Sequence, residues 1–135
     1  MTAKRILIID DDVPASSLLA TKLKQTGAYE VRTENRGARG LFVTREFKPD
    51  LVLLDVDMPD ADGGEVAFRI QADKSVSRTP ILFLTSLVSD EEVGSSGLLS
   101  SGHRFLPKPV NFPSLLEHIE TILGNHSTPR VVTRP

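Results

Sequence analysis

Cysteine is absent from the 135-residue chain. A chain without thiols cannot form disulfide bonds, thiolate metal sites or cysteine nucleophiles, so these three classes of chemistry are excluded. An excess of charge of one sign is also lacking, since 16 basic and 18 acidic side chains give a formal net charge of -2. Basic residues form no stripe of the kind that binds a phosphate backbone, so we expect no direct binding of nucleic acid by this domain.

Long hydrophobic runs are also lacking. The apolar run at residues 6–9 is far too short for a signal peptide or a membrane span, so we expect a cytoplasmic protein without membrane contact. The length suits one domain with its own core. We predict that this domain covers residues 1–124. Residues 125–135 are polar and aperiodic, which predicts a disordered tail or a truncated linker, in a stand-alone protein or the front of a longer one.

The chain contains three short apolar runs, at residues 6–9, 51–54 and 81–84. Runs this short and this apolar are typical of strands that are buried on both faces of a parallel sheet. Residues 29–33 and 104–106 predict two more polar strands, which belong at the edges of the sheet. Pro107 favours an edge position for the last strand, because proline cannot donate a ladder hydrogen bond.

Amphipathic stretches separate the strands and predict helices. We expect them from Pro14 to Gly27, over residues 37–47, over residues 64–72, and from about residue 112 to Gly124, with Pro113 in the first turn. A short, irregular helix is expected over residues 90–97, where acids are followed by Gly and Ser. The side chains predicted to face the core are Leu18, Leu19, Leu23, Ala38, Leu41, Phe42, Ala67, Ile70, Phe112, Leu115, Leu116, Ile119, Ile122 and Leu123.

Five β/α units follow from this alternation. Right-handed crossovers place helices on both faces of one parallel sheet. The predicted fold is therefore α/β, a three-layer doubly wound (βα)5 flavodoxin-like fold with strand order 2-1-3-4-5.

Polar residues follow four of the predicted strands. Parallel strands all end at the same edge of the sheet, so these residues should meet at the rim where open α/β sheets bind ligands. They are Asp10, Asp11 and Asp12 after the first run, Asp55 after the run at 51–54, Thr85 and Ser86 after the run at 81–84, and Lys108 after the last strand.

The residue types in this group suit phosphoryl chemistry. Clustered carboxylates repel one another unless a cation is present, and their hard oxygens suit Mg2+. A carboxylate beside Mg2+ can act as a nucleophile toward phosphorus. Lys108 and Thr85 could then stabilise the other phosphoryl oxygens by charge and hydrogen bond.

The span from Lys4 to about Gly124 resembles the receiver domains of response regulators in two-component signalling, of the chemotaxis-receiver type. Each motif is weak alone, but their order and spacing together are specific. The matching segments are Ile-Ile-Asp-Asp-Asp at 8–12, Leu-Leu-Asp-Val-Asp-Met-Pro at 53–59, Asp-Gly at 62–63, Leu-Thr-Ser at 84–86 and Leu-Pro-Lys-Pro at 106–109.

The resemblance implies a role for each matching position. Asp55 is expected to be the phosphoacceptor. Mg2+ (or Mn2+) is expected to bind Asp11, Asp55 and the backbone carbonyl of Asp57 directly, and Asp10 through water. The remaining expectations are phosphoryl contacts and switching at Thr85, Ser86, Lys108 and Phe105, a cis Lys108–Pro109 peptide bond, and tuning of the phosphorylated lifetime by Asp57 and Leu87.

Partners also follow from the resemblance. The phosphoryl group is expected to come from a sensor histidine kinase or a histidine phosphotransfer protein. The output is expected to reach a downstream protein target or a missing output domain, and phosphorylation could drive homodimerisation. Two departures from the family pattern are the acid at Asp57 and the Gly- and Ser-rich residues 94–102, where an alanine-rich helix is usual. The second puts the family's usual output face in doubt.

Alternative interpretations remain at several positions. Asp12 could simply cap the first helix, Asp60 and Asp62 could shape the loop before Gly63, and Phe105 could be plain packing. The motif around Asp55 also resembles haloacid-dehalogenase-type phosphatases, although those enzymes place their acidic pair last and we expect no cap domain here. A third hypothesis is a phosphorylation-independent interaction module of the same fold. An EF-hand is excluded, because Val66 stands where the loop needs Glu.

Overall fold

In the part of the chain that the structure describes, one sheet of five parallel strands forms the centre of the fold, in the order β2-β1-β3-β4-β5. The computed structural model describes residues 3–86 and 104–124. The strands are β1 (Lys4–Ile9), β2 (Tyr29–Glu34), β3 (Leu51–Asp55), β4 (Ile81–Thr85) and β5 (Arg104–Pro107). The predicted strand order is confirmed, as are the edge positions of the two polar strands.

The central strands are apolar on both faces because both faces are covered by helices. In β1, Ile6 and Ile8 point into one hydrophobic core, while Leu7 and Ile9 point into a second core on the other side of the sheet. All four side chains are fully buried. The continuous apolar runs in the sequence therefore reflect a three-layer architecture, as predicted.

Among the residues that the structure describes, four α-helices and one short 3-10 helix connect or follow the strands. The α-helices are α1 (Val13–Gln25), α2 (Gly40–Phe47), α3 (Gly63–Ala72) and α4 (Phe112–Leu123). The 3-10 turn at Gly37–Arg39 precedes α2, so the second predicted helix is split in two. The helix predicted over residues 90–97 and the tail predicted over 125–135 lie outside the described residues.

The prediction that Leu18 faces the core is wrong, since 59% of its surface is exposed. The inward face of α1 carries Ser16, Ala20 and Leu23, which follow the i, i+4, i+7 spacing of one helix face. Leu18 lies two residues from both Ser16 and Ala20, and this spacing points it to the opposite side. Leu19 is half-buried and packs against the core.

The inward face predicted for the second helix is also wrong at two of its three residues. Ala38 lies exposed in the 3-10 turn, and Phe42 is 52% exposed, while Leu41 is half-buried against the core. The buried face of α2 starts instead at Gly40, whose missing side chain lets the helix approach α3 closely. A Cβ at this position would lie 2.8 Å from Cγ1 of Val66.

The inward faces of the last two helices are confirmed. Ala67 and Ile70 of α3 are buried, as are Leu115 and Ile119 of α4. The other predicted core residues of α4 are half-buried and pack against the same core; they are Phe112, Leu116, Ile122 and Leu123. Within the ranges 3–86 and 104–124, no helix has the length and apolar character needed to cross a membrane.

Candidate functional site

Three carboxylates converge at the carboxyl ends of β1 and β3. Asp10 and Asp11 follow β1 and Asp55 ends β3, and one oxygen from each lies within 4.8 Å of the others. Asp10 and Asp55 are only 3% and 1% exposed, whereas Asp11 is half-buried. The structure thus brings together three of the predicted metal-site residues.

Asp10 is fixed by hydrogen bonds from several elements. Its amide donates to the Glu34 carbonyl (3.0 Å), and its Oδ1 accepts from the Asp12 amide (2.9 Å). The Asn35 side-chain amide donates to the Asp10 carbonyl (2.7 Å) and to Ser16 Oγ (3.0 Å). Asn35 and Ser16 therefore support the site, although the sequence analysis missed both. The only available signal was the position of Asn35 two residues after the strand predicted over residues 29–33.

Asp12 lies next to the cluster but has a different role. Its Oδ1 accepts a hydrogen bond from the Ala15 amide (3.0 Å), so Asp12 is the N-cap of α1. The capping interpretation of this residue is confirmed. A side-chain oxygen in this position satisfies one of the free amides of the first helical turn.

Lys108 brings a positive charge to the carboxylates. Its Nζ lies 3.2 Å from Asp55 Oδ1 and 3.5 Å from Asp10 Oδ2. The Lys108 amide donates to the Thr85 carbonyl (2.9 Å), which extends the pairing of β4 with β5, and the next peptide bond, Lys108–Pro109, is cis. Burial opposes the charged ammonium, but attraction to Asp10 and Asp55 outweighs burial and raises the pKa of Lys108.

The carboxyl group of Asp55 is held in an environment that disfavours its charge. Burial and repulsion from Asp10 raise its pKa to about 6, against the opposing effects of the Asp57 amide and of Lys108. The Asp57 amide donates to Asp55 Oδ1 (3.2 Å), the same oxygen that contacts Lys108. The Lys108 ammonium therefore does not fully compensate burial and the charge of Asp10.

Thr85 and Ser86 lie at the end of β4, where both face the loop that follows β3. The Thr85 Oγ1 and Ser86 Oγ hydroxyls each donate to Oδ2 of Asp57, at 3.3 Å in both cases. Thr85 is buried, whereas Ser86 and Asp57 are exposed. The acid two residues after Asp55 is thus linked to the two hydroxyl residues predicted to contact a phosphoryl group.

The loop between β3 and α3 is shaped by its own acids, as interpreted from the sequence. Asp60 accepts hydrogen bonds from the amides of Gly37 (3.2 Å) and Ala38 (3.0 Å). Asp62 caps α3 by accepting from the Gly64 amide (2.9 Å). Gly63 lies against the backbone of the site residue, because a Cβ there would lie 2.7 Å from the Asp55 carbonyl oxygen.

Phe105 of β5 stacks on Phe83 of the neighbouring strand β4. The ring centroids are 4.8 Å apart and the rings are inclined by 20°. Phe105 is half-buried, so its ring is part of the packing in this structure. Leu87, which was predicted to tune the phosphorylated lifetime, lies outside the described residues.

Comparison with known proteins decides the family. The family model of the response regulator receiver domain matches residues 6–120. The chain belongs to this family.

Relatives of this receiver domain include proteins of similar length and longer proteins. It is 33% identical over 119 residues to the DNA-binding dual master transcriptional regulator RpaA of Synechocystis sp., covering 88% of this chain but only 48% of RpaA. It therefore spans about half the length of that protein. It is also 32% identical to the protein PilH of Pseudomonas aeruginosa, covering 89% of this chain and 98% of PilH.

Solved structures agree with this assignment. The receiver domain superposes on the chemotaxis protein CheY4 of Vibrio cholerae with a TM-score of 0.75 and 26% identity, covering 90% of this chain and all of CheY4. The fold is therefore that of the chemotaxis-type receivers, as the resemblance implied.

Proposed function

We propose that this receiver domain accepts a phosphoryl group onto Asp55 in the presence of Mg2+ and transmits the change to a protein target. The donor is the phosphohistidine of a sensor histidine kinase or of a histidine phosphotransfer protein. The observation that carries the proposal is the convergence of Asp10, Asp11 and Asp55 with Lys108 at the carboxyl edge of the sheet.

The acidic cluster fits a magnesium ion by its donor chemistry. Three carboxylates within 4.8 Å of one another carry more negative charge than the Lys108 ammonium balances. Hard carboxylate and carbonyl oxygens suit Mg2+, or Mn2+ in its place. Asp11, Asp55 and the Asp57 carbonyl would hold the ion directly, and Asp10 would do so through water. When bound, the ion would neutralise developing charge on the phosphoryl oxygens.

The transfer step makes one bond to phosphorus and breaks another. The hydrogen bonds of Lys108 and the Asp57 amide both involve Oδ1 of Asp55, so we assign nucleophilic attack to Oδ2. A new Oδ2–P bond forms while the bond from phosphorus to the donor imidazole nitrogen breaks. The bonding electrons stay on that nitrogen, which takes up a proton from water. The product is an acyl phosphate on Asp55.

The remaining site residues would contact the transferred phosphoryl group or respond to it. Lys108 lies close enough to Asp55 to move its ammonium onto a phosphoryl oxygen, and the Thr85 and Ser86 hydroxyls can donate to the others. Phe105 lies beside β4 and would respond to displacement of Thr85. The output would reach a separate protein, a further domain or a second copy of the chain.

Acetyl phosphate supplies a direct test, because it donates phosphate without a kinase. The purified chain with acetyl phosphate and Mg2+ should gain one phosphoryl group by intact mass, and should gain none when the metal is chelated. Steady hydrolysis of p-nitrophenyl phosphate would favour the phosphatase alternative. Absence of any incorporation, from acetyl phosphate and from a panel of phosphorylated histidine kinases, would favour the interaction module.

Substitution of Lys108 should separate metal binding from the response to phosphate. Lys108→Ala removes the ammonium that lies near Asp55 and Asp10, so Mg2+ should bind at least as tightly as in the wild type. The phosphorylated variant should nevertheless lack the conformational change, because the ammonium that would move onto the phosphoryl group is gone. Magnesium titration and amide chemical shifts before and after phosphorylation test this. A collapse of Mg2+ affinity would show that Lys108 has a structural role.

The lifetime of the phosphorylated state should depend more on Leu87 than on Asp57. From the family resemblance, we expect both positions to lie where an attacking water must approach. A leucine excludes water from every approach path, whereas a charge acts only at particular geometries. Leu87→Gln should therefore shorten the lifetime several-fold, and Asp57→Asn should change it less. Decay is followed after removal of the donor at constant Mg2+. The opposite ranking of the two variants would contradict this explanation.

A further inference from the structure

The carboxylate of Asp57 makes two contacts that phosphate acceptance alone does not require. It accepts hydrogen bonds from Thr85 and from Ser86, both at 3.3 Å. A threonine hydroxyl carries one proton, so it cannot donate fully to Asp57 and to a phosphoryl oxygen at the same time. Phosphorylation of Asp55 would therefore require Thr85 to exchange one anionic acceptor for another.

We propose that Asp57 is a positioning residue that holds the Thr85 hydroxyl in the unphosphorylated state and opposes the switched state. This inference rests on the proposed function, because the competing acceptor is the phosphoryl group on Asp55. A hydrogen bond to a carboxylate is stronger than one to a neutral acceptor. The acid at this position thus stabilises the resting arrangement more than a neutral side chain would.

The backbone around Asp57 is held in place by interactions within its own loop. The Asp57 amide donates to Asp55 Oδ1 (3.2 Å), which fixes the first turn of the loop. Asp57 also forms an isolated antiparallel bridge with Asp62, and the Gly63 amide donates to the Val56 carbonyl (3.3 Å). These backbone interactions hold the loop closed on itself, while the Asp57 carboxylate reaches across to the two hydroxyls.

A simpler explanation would give Asp57 only a repulsive role. Its negative charge near Asp55 would disfavour any anionic phosphoryl group, whatever Thr85 does. The two explanations differ in one respect. Release of the Thr85 hydroxyl matters only when that hydroxyl exists, whereas charge repulsion persists without it.

A double-mutant cycle separates the two explanations. Beryllofluoride, a non-hydrolysable phosphoryl mimic, is titrated at saturating Mg2+ into the wild type, Asp57→Ala, Thr85→Val and the double variant, with binding followed by amide chemical shifts. Thr85→Val keeps the branched shape and loses only the hydroxyl. Asp57→Ala should tighten binding about 3- to 10-fold in the wild-type background and less than about 2-fold in the Thr85→Val background. Equal tightening in both backgrounds, or none in either, would overturn the proposal.

A second measurement needs neither metal nor phosphoryl mimic. In the metal-free protein, methyl carbon shifts and couplings should show one dominant χ1 rotamer for Thr85. Asp57→Ala should produce rotamer averaging at Thr85 while leaving the Leu82 and Leu84 methyl signals of β4 unchanged. An unaltered Thr85 rotamer in this variant would overturn the proposal. Failure of the wild type to bind beryllofluoride while Thr85 does respond to Asp57→Ala would instead count against the phosphoacceptor function.

Discussion

Asp55→Asn should abolish incorporation of phosphate from acetyl phosphate, because an amide cannot act as the attacking nucleophile. Asp11→Ala keeps the nucleophile but removes a predicted metal ligand. We expect its phosphorylation rate to fall about 100-fold or more at low Mg2+, since a lost metal contact removes several kcal/mol of charge stabilisation. The rates are measured by intact mass against time over a range of Mg2+ concentrations.

Asp12→Asn is the matched control for both variants. It removes one negative charge beside the cluster, yet asparagine still caps a helix, so α1 keeps the hydrogen bond to the Ala15 amide. Its phosphorylation rate should stay within about 3-fold of the wild type, because the substitution changes only the long-range electrostatic field at the site. If Asp12→Asn loses as much activity as Asp11→Ala, the loss reflects general charge at this edge and not ligation by Asp11.

Asp55→Asn should also stabilise the protein above neutral pH in the absence of metal. The pKa of Asp55 is raised from 3.8 to about 6 in the folded state, first by burial and then by Asp10. The folded state therefore binds the proton of Asp55 more tightly than the unfolded state does. Ionisation of Asp55 destabilises the fold, progressively between about pH 4 and pH 6 and fully above that window. A neutral isostere removes this penalty, so we expect a gain of about 1 to 3 kcal/mol at pH 7.5.

Urea unfolding in the presence of a chelator measures this effect. The difference between Asp55→Asn and the wild type should shrink as the pH falls from 7 to 4, because the wild-type carboxyl group becomes neutral. Asp12→Asn should show no comparable gain, since Asp12 is exposed and caps α1. Equal or lower stability of Asp55→Asn at pH 7.5 would mean that the contact with Lys108 outweighs burial of the charge.

The position of the site could be predicted because the residues that form it follow recognisable strands in the sequence. Each buried apolar run is followed by polar residues, and a parallel sheet brings all such ends to one edge. The two weaker strands could be placed at the edges because their polar residues cannot be buried on both faces. The sequence therefore predicted both the strand order and the meeting of Asp10, Asp11, Asp55 and Lys108.

Helix orientation was less predictable, because it depends on single contacts between elements. Leu18 looks like a core residue in the sequence, yet α1 presents Ser16, Ala20 and Leu23 to the core. Phe42 is exposed because α2 turns Gly40 toward Val66, a close approach that no hydrophobic pattern encodes. Large apolar side chains on the outer faces of helices are common on protein surfaces and mislead a purely periodic analysis.

The supporting polar contacts could not be predicted either. Asn35 is one polar residue after an edge strand, and nothing local indicates that its amide reaches Asp10 and Ser16. The direction of the Asp57 side chain depends on how the loop from β3 to α3 folds back on itself. Such contacts join residues far apart in sequence, so only the assembled fold reveals them.

The central claim is that Asp55 itself carries the phosphoryl group. Borohydride reduces an aspartyl phosphate to homoserine, which marks the acceptor residue permanently. The most direct measurement is therefore peptide mass spectrometry of the chain after treatment with acetyl phosphate and Mg2+ followed by borohydride. We predict homoserine at position 55 in the wild type and at no acidic residue in Asp55→Asn. Homoserine at Asp10, Asp11 or Asp57 in the wild type, with Asp55 unmodified, would contradict the account.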